Sequence, residues 1–399
     1  MVDGRQVHGS WTWAIALMIG AIVSGCQSKS GVSDTLDPAA IAATPAPAGG
    51  AVIVPAKGVQ SLGTGPTKIT MLLPLSAPGT TGETGRKMLD GAKLAMADLG
   101  DKLLTLTVED TKGDSTFASE LAMKAITTDA KAVIGPVELP SAQHLAKLSG
   151  SKHPPVLALA DDFAGAPGVY AVRLSEADSA AAGAAGLAAK GRKKFVLLVA
   201  AGPDAATVEK RVANGLSIYG AALAVTIPYS ASDGGTKVVD DMQAVVDAPD
   251  AIIIASGGAS PSAILAALKS KGIPGKATAV VGTNRWLEHS LEPGFEGAYI
   301  ATLDASETGP IADRFKSTYN YPADTDVAYA YDMVALTAGI ASSVGPDGFS
   351  RQVLENRSGF RGSTGLFRFR TDGASERSMP FYQVQQGALK LVEKSISGY

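Results

Sequence analysis

From Lys68 onward, short apolar runs alternate with stretches of helical period. The runs "ITMLLPL", "LLTLTVED", "KAVIGP" and "PVLALA" are nearly free of charge except at their ends. Strands of that kind belong to a parallel sheet whose two faces are covered by helices. Between the first two runs, Leu89, Ala92, Met96 and Leu99 fall on one helical face. Between the second and third, Phe117, Leu121 and Ala125 do the same. The pattern is a βαβ series, which winds right-handed into a doubly wound α/β unit.

The series restarts after Tyr170. "KFVLLVAA", "LAVTIPYS", "AIIIASGG" and "TAVVGTN" predict four more strands with helices between them. "AYIATLD" then leads into two helices, "GPIADRFKSTYN" and "VAYAYDMVALTAGIA", and a β-rich tail, "GLFRFRTDG" and "PFYQVQQGALKLVEK". The expected architecture is two α/β lobes joined by several crossover strands. One lobe takes residues 67–172 and 303–370, and the other takes 173–302 and 371–399. Loops at the carboxyl ends of the strands would face each other across a crevice, where such sheets bind ligands.

The segment before this body is different. An apolar run ending in "WAIALMIGAIVSGC" is about 13 residues long, too short to span a bilayer but suited to a signal-peptide core. Cys26, the only cysteine of the 399 residues, sits where that run ends. Val23-Ser24-Gly25-Cys26 resembles a bacterial lipobox, in which the cysteine is lipidated after cleavage. Residues 1–25 are then a signal peptide. The n-region has only Arg5 as a fixed cation, offset by Asp3. Gln27 after the cysteine favours the outer membrane if the cell is Gram-negative. Residues 26–66, rich in Ala, Pro, Gly, Ser and Thr, cannot bury a core and read as a tether. Roughly 40 such residues reach about 30–40 Å, so the protein is anchored to a membrane rather than spanning it.

Charge and composition narrow the function. A net charge of −3 with no basic cluster excludes a nucleic-acid partner as the expectation. One cysteine rules out an internal disulfide and any CxxC site. His8, His144, His153 and His289 have no metal-ligand spacing. Ser141 and His144 share a helix face without an orienting acid, a weak basis for a catalytic dyad. "GTGPTK" lacks the phosphate-loop spacing, and nothing asks for a cofactor. The expectation is a binding protein, not an enzyme.

In order along the chain, "KITMLLPLSAPGTTGETGRKMLDGAKLAMADLG", "TVEDTKGDSTFASELAMKAI", "AVIGPVELPSA" and "AYAYDMVALTAGIA" resemble the type I periplasmic binding proteins. That group includes the leucine and branched-chain amino-acid receptors of ABC transporters. The resemblance spans residues 68–399 and implies the type I fold, a small amino-acid-related ligand between the lobes, and an ABC permease as partner. It also implies where a ligand is held. The α-carboxylate meets backbone N–H groups and hydroxyls after the strand matching "AVIG". The ammonium meets a carbonyl and a hydroxyl after the strand matching "VLALA". Helix N-termini suit the anion, and carbonyls and carboxylates suit the cation.

At those positions this chain carries Glu138-Leu139-Pro140-Ser141 and Asp161-Asp162, and "GPDAAT" offers no tyrosine. Ser256 and Asn284 stand where the receptors use an aromatic and an acid. Glu138 would repel an α-carboxylate, while the Asp161-Asp162 pair would tolerate a cation. Parts of the chain also resemble the penicillin-binding protein activator lipoproteins. They are Ala160-Asp161-Asp162, Gly282-Thr283-Asn284-Arg285-Trp286 and "GFRGSTGLFRFRTDGASERSMPFYQV", where Gly362 and Gly365 bracket a turn. That resemblance implies a cell-wall synthase as partner instead of a permease.

The candidate ligand residues are therefore Ser76, Glu138, Ser141, Asp161, Asp162, Ser256, Asn284 and Trp286. Each has a plainer alternative. Asp161 and Asp162 suit a helix N-cap and first turn, Ser141 an N-cap, and Glu138 a loop carboxylate. Trp286 fits either the crevice or a core. Tyr331 is expected in a core, with Asp332 as a solvated or cap-like neighbour.

Overall fold

The computed structural model describes residues 59–395 apart from 150, 151, 231, 274, 276, 290 and 292. The expected signal segment, Cys26 and most of the tether lie outside the described residues.

The first lobe forms as the apolar runs predict. Strands β1 (Gln60–Leu62), β2 (Thr67–Leu73), β3 (Leu104–Asp110), β4 (Ala132–Ile134), β5 (Val156–Ala158) and β6 (Val169–Ala171) make one sheet. Its order is β1-β3-β2-β4-β5-β6, parallel except for β1. Helix α1 (Gly79–Ala95) buries Met88, Leu89 and Ala92 against one face. Helices α2 (Ser115–Thr127) and α3 (Leu139–Leu145) cover the other with Leu121, Ala125, Ala142 and Leu145. Leu72 and Val133 point to that second face while Met71 and Ile134 point to the first, as period-2 alternation requires.

The second lobe begins with α4 (Glu176–Ala189) and continues β7 (Lys194–Ala200), α5 (Ala205–Ser217), β8 (Ala222–Tyr229), α6 (Gly235–Val245), β9 (Ala251–Ala255), α7 (Ser262–Ser270), β10 (Ala279–Gly282) and β11 (Tyr299–Ala301). Every residue of β9 is buried. Helices α4 and α5 pack on one face, and α6 and α7 on the other.

The chain then returns to the first lobe. Helices α8 (Ala305–Tyr319) and α9 (Thr325–Ser343) add Ile311, Phe315 and the long buried run Val327–Ile340 to the first core. Helix α9 lies so close to α1 that a Cβ on Gly91 would come within 2.5 Å of the Val327 carbonyl oxygen. A short α10 (Arg351–Leu354) precedes β12 (Phe360–Gly362), β13 (Gly365–Phe369) and β14 (Ser375–Arg377), a small antiparallel sheet whose Phe360, Phe367 and Phe369 join the same core. Finally β15 (Phe381–Gln385) and β16 (Ala388–Glu393) complete the second sheet, β16-β15-β11-β10-β9-β7-β8. The chain crosses between lobes after β6, after β11 and after β14.

Three sequence expectations need correction. The body starts before residue 67, because β1 closes the free edge of β3 with antiparallel pairing. Strand β14 lies in the small sheet of the first lobe, so the final return to the second lobe comes later than residue 371. Asp332 is neither solvated nor a cap; it is 1% exposed. Its carboxylate accepts from the Ser363 backbone N–H at 2.7 Å and hydroxyl at 2.7 Å, and from the Thr364 N–H at 2.8 Å and hydroxyl at 2.6 Å. It therefore ties the β12–β13 turn to the middle of α9. A Cβ on Gly362 would lie 2.5 Å from that carboxylate, so this turn position needs glycine.

The Thr364 hydroxyl also accepts from Arg377 at 2.9 Å. That guanidinium is itself buried, 5.1 Å from the Tyr329 ring centre and 4.8 Å from that of Phe367. The acid is thus balanced at one remove by a cation held between aromatic faces.

Replacing Asp332 with Ala leaves the Ser363 and Thr364 donors without their acceptor in a dry site. We expect a loss of about 3 kcal/mol in denaturant-unfolding stability. A loss below about 1 kcal/mol would show that the turn finds other acceptors.

Candidate functional site

The crevice chemistry starts at the end of β5. Asp161 and Asp162 follow Ala160 in a turn, with Asp162 at φ +52°, a left-handed conformation that Asp tolerates through local hydrogen bonding. No helix begins there, so the N-cap alternative is wrong. Gly165 and Gly168, both at positive φ, steer the chain straight into β6, and α4 starts only at Glu176. A Cβ on Gly165 would strike the Gly373 carbonyl, so the turn is clamped against the loop between β13 and β14.

Each of the paired acids is met by an arginine of the same chain. Asp161 accepts from Arg173 Nε at 2.6 Å, and Arg173 Nη1 donates to Asp326 at 2.6 Å. Asp162 pairs across the crevice with Arg285 and accepts the Glu176 backbone N–H at 3.3 Å. Arg285 also donates to Glu288 at 2.6 Å. The two flanking carboxylates keep the Arg173 guanidinium charged despite its burial.

Glu176 opens α4 and points into the second lobe. Its carboxylate accepts from the backbone N–H groups of Ser256 and Gly257, each at 2.9 Å, and from the Thr283 hydroxyl at 2.8 Å. It thereby gathers the loops after β9 and β10. Burial pushes its carboxyl up, and the charge of Asp162 adds to this, against the pull of the hydrogen bonds. Asp204, just before α5, is raised by burial and then by Asp162, with Arg285 opposing.

Two cavities flank this ionic seam. One, of about 240 Å³, is walled by Asp162 and Phe163, by Ser175, Glu176 and Asp178 at the start of α4, by Ala201–Ala205, and by Thr207, Arg211 and Gly257. Four acidic residues, Asp162, Glu176, Asp178 and Asp204, line it against Arg211, which lies 3.4 Å from Asp178. The other, of about 280 Å³, lies between Asp161, Arg173, Asn284, Arg285, Leu287, Thr302 and Tyr329.

The structure divides the candidate residues. Asp162 faces the first cavity, and Asp161 and Asn284 face the second. Asn284 is fixed by its N–H to the Ser179 hydroxyl at 2.8 Å and by its amide to the Leu174 carbonyl at 3.3 Å. Ser256 is buried behind Gly257 and reaches the site only through its backbone N–H. Ser76 and Glu138 gather elsewhere, at the carboxyl ends of β2–β4. There the Ser76 N–H donates to Asp110 at 3.1 Å and the Thr111 hydroxyl donates to Glu138. Neither lines the two cavities. Burial, more than neighbouring Asp110, raises the Glu138 carboxyl.

Two candidates belong to cores. Ser141 is fully buried inside α3, where Glu138 and not Ser141 holds the N-cap position, and its hydroxyl accepts from Ser119 at 3.1 Å. Trp286 is fully buried in the second lobe, its ring 5.3 Å from that of Phe295. It fits there because Gly282 leaves room; a Cβ at that position would lie 2.5 Å from the indole.

Sequence reasoning missed Arg173, Glu176, Asp178, Asp204, Arg211 and Arg285 as site residues. One signal was available: "RLSEAD" places an Arg and two acids around a helix start, where Ser175 accepts from the Asp178 N–H. Among the described residues no cluster of His, Cys, Asp or Glu is arranged to hold a metal ion.

The raised Glu176 carboxyl has a definite sign. Its folded-state pKa lies above the ordinary 4.5, so the folded protein holds this proton more tightly than the unfolded chain. Its contribution favours folding below pH 4.5 and diminishes as pH rises through the folded value. Melting temperatures measured from pH 4 upward should show the wild type losing ground to Glu176→Gln as pH rises. A wild type that gains on the variant would reverse the assignment.

The comparisons with known proteins agree with this fold. No curated protein sequence matches the chain. Among solved structures, a branched-chain amino acid ABC transporter periplasmic ligand-binding protein from Burkholderia xenovorans LB400 superposes with a TM-score of 0.67 at 16% identity, covering 82% of this chain and 95% of that one. An ABC transporter substrate-binding protein from Desulfitobacterium hafniense in complex with Leu gives 0.58 at 18%, covering 82% and 99%. A solute-binding protein of an ABC transporter from Rhodopseudomonas palustris BisB5, in complex with 3,4-dihydroxybenzoic acid, gives 0.58 at 15%, covering 82% and 96%. At these identities the likeness is one of fold. The sequence model for periplasmic binding proteins matches residues 66–388, and the chain belongs to that family.

Proposed function

We propose that this protein is a non-enzymatic periplasmic solute receptor, lipid-anchored through Cys26, to the outer membrane if the cell is Gram-negative, that delivers a small amino-acid-related ligand to an ABC permease. The observation that carries the reading is the 240 Å³ cavity between the lobes, with carboxylates in excess. That volume is below the usual range for drug-sized ligands and suits a compact solute. Leucine and dihydroxybenzoate, the ligands of the two neighbouring structures, each bring a carboxylate. Asp162 already repels both Glu176 and Asp204 here, so a ligand carboxylate adds to the strain and a ligand ammonium relieves it. The expected ligand is a diamine or a basic amino acid.

A second reading has its own support. Arg173 and Arg285 already supply the cations that Asp161 and Asp162 attract. That favours a crevice turned to holding the lobes together, as in a penicillin-binding protein activator-like role through protein contact.

Calorimetric titration with putrescine, lysine and leucine separates the two. The receptor reading expects the amines to bind, and expects Asp161→Ala with Asp162→Ala to weaken them by about 2–3 kcal/mol, roughly 30–150-fold. Leucine binding that is indifferent to the double variant would overturn the ligand class. No heat with any of them would move the weight to the cell-wall partner.

A further inference from the structure

Asp162 is placed to act on both lobes. On its own side the turn is pinned through Asp161 to Arg173, and through Arg173 to Asp326 at the start of α9. The close approach of Gly165 to Gly373 and the Ala171 N–H to the Gly373 carbonyl, 2.9 Å, hold the same turn from behind. Across the crevice its carboxylate reaches the Glu176 N–H and Arg285, both of the second lobe. Arg285 is equally fixed. It sits in the short 3₁₀ turn Asn284–Glu288, which is anchored on one side by Asn284 to Ser179 and on the other by the buried Trp286.

The pair is also sheltered. Side-chain exposure is 20% for Arg285 and 27% for Asp162, so salt and water screen it less than a surface pair. Two rigid mounts and a sheltered bridge make a contact that resists separation of the lobes.

We propose that the Asp162–Arg285 pair is a latch carried by the chain itself, which keeps the lobes together and puts Arg285 where a ligand cation would pair with Asp162. Only the second half rests on the receptor reading above. A cationic solute and Arg285 then compete for one carboxylate, and a solute that wins leaves Arg285 its other partner, Glu288.

The latch is tested without any ligand. Spin labels on cysteines introduced at exposed Glu120 on α2 and Lys210 on α5, with Cys26 changed to Ser, report the interlobe distance in the full chain by double electron–electron resonance. The wild type should give a narrow distribution. Arg285→Ala should broaden it and move its mean to longer distance. Arg285→Lys, which keeps the cation opposite Asp162, should stay nearer the narrow wild-type distribution than Arg285→Ala, a difference that a merely packing role for this side chain would not produce. An unchanged distribution in Arg285→Ala, or an Arg285→Lys as broad as Arg285→Ala, would overturn the latch. Because calorimetry alone reports on the solute, loss of the receptor reading leaves this outcome intact.

Discussion

A charge removed from water must find a partner, and at the joint between the lobes this chain buries several charges at once. The arrangement of that region follows from how each one is satisfied. Asp332 is met by the Ser363 and Thr364 donors, with Arg377 behind them. Arg173 lies between Asp161 and Asp326, and Glu176 collects the loops after β9 and β10. These contacts fix the loops within each lobe, and Asp162, through Arg285 and the Glu176 N–H, sets one lobe's loops against the other's. The apolar sheets supply the two bodies, and the charges decide how they meet.

The same requirement shapes what the crevice can accept. Acids that exceed their internal partners leave the smaller cavity negative, while on the other side of the seam Arg173 and Arg285 are mostly spoken for. A ligand entering here exchanges one set of ionic contacts for another and does not fill a neutral pocket. Under the receptor reading proposed above, that exchange limits affinity for a zwitterion, gives a cation its advantage, and links ligand choice to lobe position through Asp162.

Much of the fold was legible in the sequence. Strands such as "AIIIA" are apolar on both faces because helices cover both, and the return helix announced itself as a continuous buried run. The edge strand β1 was not legible, because three residues of mixed polarity, with only Leu62 touching the core, carry no pattern. The site was read less well. Asp161 and Asp162 stood out at a strand end, but their partners did not. Arg173 meets Asp326 from 153 residues away, and Arg285 meets Asp162 from 123. No local period encodes pairs at that separation. Trp286 misled for a related reason: its polar neighbours face the crevice, while Gly282 lets the indole turn inward to the core. Asp332 looked solvated because the donors that bury it lie in a turn 31 and 32 residues further on.

The claim that the crevice holds a small cation is tested most directly by native mass spectrometry of the protein released from its own envelope. The account predicts a bound small species that carries an amine and is absent when Asp162 is replaced by Ala. A bound carboxylic acid without an amine, or an amine retained by the Asp162 variant, would contradict it.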